Sequence, residues 1–253
     1  MPDRHEFCSV MSSDRTTAYI GIEHGEWQSI VSYKWDGSGW AGPVNVLGTP
    51  DYTAQDPFLS LDEQRLFFIT RANGNADIGY LESDTTGGWS DPIILGAPVN
   101  SADNEYFTSF TQSGDLVFAS DRERTQRGDY NIYKSLLVDG DYGDPVPFPE
   151  GVNTLGYEAD PFIDPAERYL IFASNRPGGR GRGDLYLSIA AEDGGWSQPI
   201  AFDETINTSD HELCPVVTLD GSALLFTSNQ DIHWVSTTII EQMITDYKAE
   251  KSG

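Results

Sequence analysis

The sequence predicts an all-β fold: a single β-propeller of five blades, each a four-stranded antiparallel sheet, followed by a short C-terminal helix. Two markers recur with one period. A proline that opens the first strand of each unit stands at Pro57, Pro161 and Pro215, with Thr108 in its place in one copy, giving spacings of 51, 53 and 54. An aromatic residue that opens the last segment stands at Trp40, Trp89, Tyr142 and Trp196, at spacings of 49, 53 and 54, with Pro43, Pro92, Pro145 and Pro199 three residues on. Between the markers lie short apolar-alternating runs broken by Gly, Pro and Asp turns. A period of about fifty residues with four strands per unit is that of a propeller blade. A β-helix would repeat faster, and a sandwich would not repeat its turn chemistry.

The unit is clearest at 154–207. There Glu158 and Asp160 precede Pro161 and a first strand, Asp164-Pro165 opens a turn, and Tyr169 to Ser174 alternate as a second strand. The Gly/Arg loop 177–183 leads to a third strand from Asp184 to Ser188, and Trp196, Ser197 and Pro199 begin an outer segment. Copy one (~4–48) carries HEFCSVMSSDRTTAYIGIE and WAGPVNVLG; copy two (51–100) carries DPFLSLDEQRLFFITR and WSDPIILGAPVN. Copy three (103–153) carries NEYFTSFTQSGDLVFASDR, NIYKS and YGDPVPF. Copy five (210–236) carries HELCPVVTLDGSALLFTSN and stops after its third strand, so the propeller is expected over 1–236. In 237–253 the pattern changes: Ile239, Ile240, Met243, Ile244 and Tyr247 recur at helical spacing, which predicts a helix and tail packed on the propeller edge or face. Only residues 1–5 precede copy one. The fifth blade is therefore expected to keep three strands, to be covered by the helix, or to be completed by sequence upstream of this chain, the last being favoured.

The pattern E-x-x-P, strand, D-G, L-x-F-x-S-x-R, G-x-x-D-I/L-Y, G-x-W-S-x-P-x-x-L-G-x-x-V/I-N resembles the WD-like propeller repeats of TolB-type proteins over ~4–236. Copy one departs most, with Ser12-Ser13-Asp14 for the Asp-Gly turn. The resemblance implies a bacterial periplasmic or secreted protein. It leaves the activity open, because such repeats serve scaffolds, binding modules and enzyme domains alike.

The formal net charge is −25, which argues against nucleic acid and anionic membranes and suits a solvated surface, a cationic partner or a divalent metal. No run of about 18 apolar residues is present, so no membrane insertion is expected. The opening MPDRHEFCSV has neither a basic nor an apolar signal region.

Glu6, Glu105, Glu158 and Glu212 hold one repeat position, replaced by Ala54 in copy two, and Asp56 and Asp160 stand one residue before their prolines. On inner strands these carboxylates would ring one mouth of the channel. They could bind Ca²⁺ or split into a catalytic acid and base. The competing reading pairs each Glu with the Arg after the second strand (Arg71, Arg122, Arg176) or spends it on backbone N–H groups between blades. The second reading is preferred, because a repeated residue is usually scaffold. Arg180 and Arg182 in PGGRGRG form either an anion-binding loop or, as preferred, an exposed hairpin tip. His5-Glu6 and His211-Glu212 match in copies one and five and could hold a transition metal where the ring closes. Alternate residues of a strand point apart, however, which weakens that idea. Cys8 and Cys214 also match; a disulfide needs their Cα atoms within about 7 Å, and buried free thiols are the default. His24 and His233 read as ordinary loop and strand residues, and the Trp/Tyr markers as interblade packing rather than sugar platforms.

The expected function is a non-catalytic binding or scaffold propeller, monomeric, without a firm cofactor. It would present a disc face or the channel mouth to a protein, carbohydrate or other small-molecule partner. The alternatives are a glycoside hydrolase or polysaccharide lyase using Glu105, Glu158 and Glu212, and a Ca²⁺-binding propeller.

Overall fold

The computed structural model describes residues 5–85, 87–122 and 129–252. Five antiparallel sheets surround one axis, each with its first strand innermost. Blade one is β1 (His5–Met11), β2 (Thr17–Glu23), β3 (Gln28–Trp35) and β4 (Trp40–Leu47). Blade two is β5 (Ala54–Leu59), β6 (Arg65–Thr70), β7 (Asp77–Glu82) and β8 (Ile93–Ile94). Blade three is β9 (Glu105–Phe110), β10 (Leu116–Ser120) and β11 (Asn131–Ser135). A small hairpin of β12 (Leu137–Val138) and β13 (Asp141–Tyr142) follows, and β14 (Val146–Pro147) closes the blade. Blade four is β15 (Glu158–Ile163), β16 (Tyr169–Ser174), β17 (Asp184–Ile189) and β18 (Ile200–Ala201). Blade five has three strands: β19 (Leu213–Val217), β20 (Ala223–Ser228) and β21 (Asp231–Ser236).

The second and third strands are sandwiched between neighbouring blades, so they bury both faces and read as continuous apolar runs. In β6, Leu66, Phe67, Phe68 and Ile69 are all buried, and every residue of β16 and β17 is. Phe68, Phe118 and Phe172 fill the same layer in blades two to four. Full burial of such a side chain contributes about 1.5–3 kcal/mol. The outermost strands of blades two to four are two residues long, and the markers Pro92, Pro145 and Pro199 flank them. In blade one, β4 runs eight residues with Pro43 inside it, as an edge strand, where an N–H is dispensable, allows.

The closing Asn of the outer segments of blades two to four explains the V/I-N in the repeat. Asn153 accepts from the Ile132 N–H (2.8 Å) and donates to Ile132 O (3.0 Å) and Phe148 O (2.9 Å). Asn100 and Asn207 make the same three bonds to Ile78 and Leu95, and to Leu185 and Phe202. Each amide satisfies third-strand groups that a short edge strand leaves unpaired.

The ring closes. The first N–H of an inner strand donates across the seam to the preceding blade, from Glu105 to Ala76 O, Glu158 to Tyr130 O and Glu212 to Gly183 O. The same bond, Glu6 N–H to Gln230 O at 3.3 Å, joins blade one to blade five. Helix α1 (Thr238–Ser252) buries Ile240 and Ile244 and pairs Glu241 with Arg168 at 2.8 Å. It thus rests on the face that carries the 164–168 turn.

Candidate functional site

Glu105, Glu158 and Glu212 lie in the seams rather than in an open carboxylate ring at the mouth, while Glu6 is half-buried beside the closing seam. Glu105, Glu158 and Glu212 are fully buried. Glu158 accepts from the Thr154 N–H and hydroxyl (both 2.7 Å), the Ser174 hydroxyl (2.9 Å) and, more loosely, Arg176 (3.5 Å). Glu105 is held likewise by Ser101, Ser120 and Arg122 (3.0 Å). Glu212 is held by Thr208 and Ser228. Arg122 and Arg176 continue to backbone carbonyls of the preceding outer segments, including Pro98 and Gly151. These carboxylates are coordinated by donors on all sides and present no open oxygen to Ca²⁺ or to a sugar.

Blade two breaks the pattern. Ala54 removes the carboxylate, and Arg71 turns instead to the hydroxyl of Tyr106 in the next blade. Tyr106 begins a chain of rings that crosses the mouth at the starts of the inner strands. Tyr106 and Tyr130 are edge-on at 5.3 Å, Tyr130 and Tyr157 at 5.9 Å, and Tyr157 and His211 at 6.0 Å. Arg71 is exposed, while Tyr130, Tyr157 and His211 are half-buried. Burial, with the Arg182 charge beside it, holds the His211 imidazole below its ordinary value.

Below this mouth the axis narrows to a cavity of about 20 Å³ lined by Cys8, Asp56, Phe107, Asp160 and Cys214. These five residues hold one repeat position, and all have positive φ (44°, 55°, 48°, 54° and 53°). Each inner strand bulges at this point and turns one side chain toward the axis. Non-glycine residues rarely adopt such angles; five in register mark an imposed feature of the ring. Cys8 and Cys214 form a disulfide with Cα atoms 5.0 Å apart, which corrects the default of two free buried thiols. Two small residues aimed at one axis from adjacent blades satisfy the distance requirement that linear sequence leaves open.

The two acids are almost fully buried. Burial raises the Asp56 carboxyl to about 7, against the opposing Gln55 amide and Arg71 charge. Asp160 is pushed well above the carboxylate range by burial and by Asp56, opposed by the Cys214 N–H at 3.0 Å. Asp56 Oδ1 lies 3.1 Å from Cys8 Sγ, a contact in which the neutral carboxyl can donate to sulfur. Asp160 Oδ1 has no partner.

The remaining candidates fall outside this centre. His5 is exposed and bonded to Glu23 at 3.2 Å. His5, Glu6 and His211 border a 290 Å³ cleft at the closing seam, but Glu212 is enclosed and the four do not converge as metal ligands. Arg180 pairs with Glu204, and its loop is tied to Asp184 through the Arg180 and Gly181 N–H groups, a closed hairpin tip. His24 stacks on Trp27 and His233 on Phe226. Trp89 packs on Tyr19 and Trp196 on Phe148 of the preceding blades, as interblade packing requires. Trp40, by contrast, stays in its own blade against Trp35, and both are exposed.

No protein-family model matches the chain, and no curated protein matches it. Solved structures do. TolB from Acinetobacter baumannii superposes with a TM-score of 0.60 at 14% identity, over 92% of this chain and 52% of that one, so the chain spans about half the length of that protein. A putative TolB from Agrobacterium tumefaciens gives 0.54 at 16%, over 89% and 70%. An endo-arabinase from Bacteroides thetaiotaomicron VPI-5482 gives 0.56 at 19%, over 92% of both chains. The class these similarities and the sheet topology define is the five-bladed β-propeller, and its structural neighbours are TolB and other propeller proteins.

Proposed function

We propose that this protein is a non-catalytic binding propeller that holds a protein partner at the upper mouth of its axis. The observation that carries the reading is the break in symmetry at Ala54. It diverts Arg71 from scaffold to mouth, beside Tyr106, Tyr130, Tyr157 and His211. Arg and Tyr are the residue types enriched at binding hot spots. A groove of about 870 Å³ adjoins the mouth on the same face and carries Leu155, which is 94% exposed. The −25 charge would steer a partner with a basic rim. A disulfide inside the ring fits an oxidising compartment, so we place the protein in the periplasm or outside the cell.

The glycan-active alternative draws support from the alignment with the endo-arabinase over nearly all of both chains. Against it, Glu105, Glu158 and Glu212 are sealed, and the axial acids face about 20 Å³, room for one water but not a sugar ring. Immobilised wild-type protein should retain a partner from a lysate of the source cell that the Arg71→Ala/Tyr130→Ala variant does not. Release of reducing ends from arabinan by the wild type would contradict the binding reading.

A further inference from the structure

We propose that the axial cavity is a redox-gated metal site, in which reduction of the Cys8–Cys214 disulfide creates a Cys₂Asp₂ set for Zn²⁺ or another thiophilic divalent ion. The ligand atoms of Cys8, Asp56 and Cys214 lie within 4.8 Å of one another and all three residues are buried. In a tetrahedral zinc site neighbouring ligand atoms are about 3.3–3.8 Å apart, given bonds of about 2.0–2.3 Å. On reduction the two sulfurs, bonded to each other in the disulfide, separate toward that spacing, and Asp56 Oδ1 already lies 3.1 Å from Cys8 Sγ.

The fourth ligand is Asp160, whose oxygens lie outside that 4.8 Å group and reach the ion by side-chain rotation. It lines the same cavity, is 2% exposed, and keeps Oδ1 without a partner while Oδ2 accepts the Cys214 N–H. A buried carboxylate oxygen left unbonded is costly unless something occupies the space before it. The mixed sulfur and oxygen donors select zinc over calcium, which prefers six to eight oxygens.

The gate is chemical. In the disulfide the two sulfurs are bonded to each other and offer no thiolate, leaving only two carboxylates. A phosphine reductant transfers the electron pair: the S–S bond breaks, two thiols form with protons from water, and the phosphine leaves as its oxide. Binding Zn²⁺ then releases both thiol protons, and any proton held by the Asp56 and Asp160 carboxyls, to solvent, and forms two Zn–S and two Zn–O bonds. Reduction also removes the covalent tie between blades one and five, which gives an ion a route through the seam.

The test uses the full chain with Zn²⁺ and Co²⁺ as probes, oxidised and after phosphine treatment. The reduced protein is expected to bind one equivalent at least 100-fold more tightly than the oxidised form, and its Co²⁺ complex to show thiolate-to-metal charge-transfer bands. Asp160→Asn should weaken binding about 10- to 100-fold. Should reduction unfold the ring, zinc is expected to restore its circular dichroism. Equal affinity in both redox states, a Co²⁺ spectrum without thiolate bands, an unchanged Asp160→Asn affinity, or a reduced chain that zinc does not refold would each overturn the proposal.

Discussion

Arg71 donates to the hydroxyl of Tyr106 across a blade seam where its repeat equivalents, Arg122 and Arg176, hold buried glutamates. One substitution in the repeat, Ala54 for glutamate, separates these roles, and the consequence is measurable. Arg122→Ala strands the Glu105 carboxylate, which is fully buried, and should cost about 3–5 kcal/mol of unfolding free energy. Arg71→Ala, at an exposed position with no carboxylate partner among the described residues, should cost about 1 kcal/mol or less. Denaturant titration of both variants distinguishes them.

Asp56 makes stability depend on pH in an unusual direction. Its carboxyl titrates near 7 in the folded ring against an ordinary 3.8, so between those values the folded state holds the extra proton. Its contribution is therefore fully present below about pH 4 and is lost as pH rises through about 7, on the order of 4 kcal/mol. Asp160 acts in the same direction. Asp56→Asn keeps a neutral side chain at every pH, so its melting temperature should match the wild type near pH 4 and exceed it at pH 8. A variant that loses stability in parallel with the wild type would show that Asp56 is ionised in the fold.

The disulfide joins residues 206 apart in sequence, nearly the whole ring. Loop-closure entropy for a span of that size is about 5 kcal/mol in the chain-entropy model. Reduction, or Cys214→Ala, should lower the denaturation midpoint accordingly, with blade one and blade five losing hydrogen-exchange protection before blade three.

Asn153→Ala removes three bonds to buried backbone groups and leaves the Ile132 N–H without its partner. The expected cost is about 2–4 kcal/mol. Asn207→Ala should behave alike, because it makes the same bonds in the next blade.

Much of this was legible in the sequence, because a propeller writes its period twice, in the proline and the aromatic markers. The departure of copy two at Ala54, and the column containing Cys8, Asp56, Asp160 and Cys214, were also readable. The depth of the glutamates was less so, although Ser101, Thr154 and Thr208 stand four residues before them and supply the capping donors. What the sequence withheld is the left-handed bulge at the axis. Adjacent strand residues ordinarily point to opposite sides, and only the positive φ at Cys8 and Cys214 turns both sulfurs inward to meet. The tyrosine chain was hidden for a different reason. Tyr106, Tyr130 and Tyr157 occupy different repeat positions, and converge only once the blades are set around the ring.

The most direct test of the binding reading compares partner retention by the wild type and by Arg71→Ala/Tyr130→Ala on the same resin, with folding of both checked by circular dichroism. A protein held by the wild type at low salt, reduced as salt rises and lost at least tenfold in the variant, is the expected result. Equal retention by both folded proteins would contradict the mouth as the binding surface.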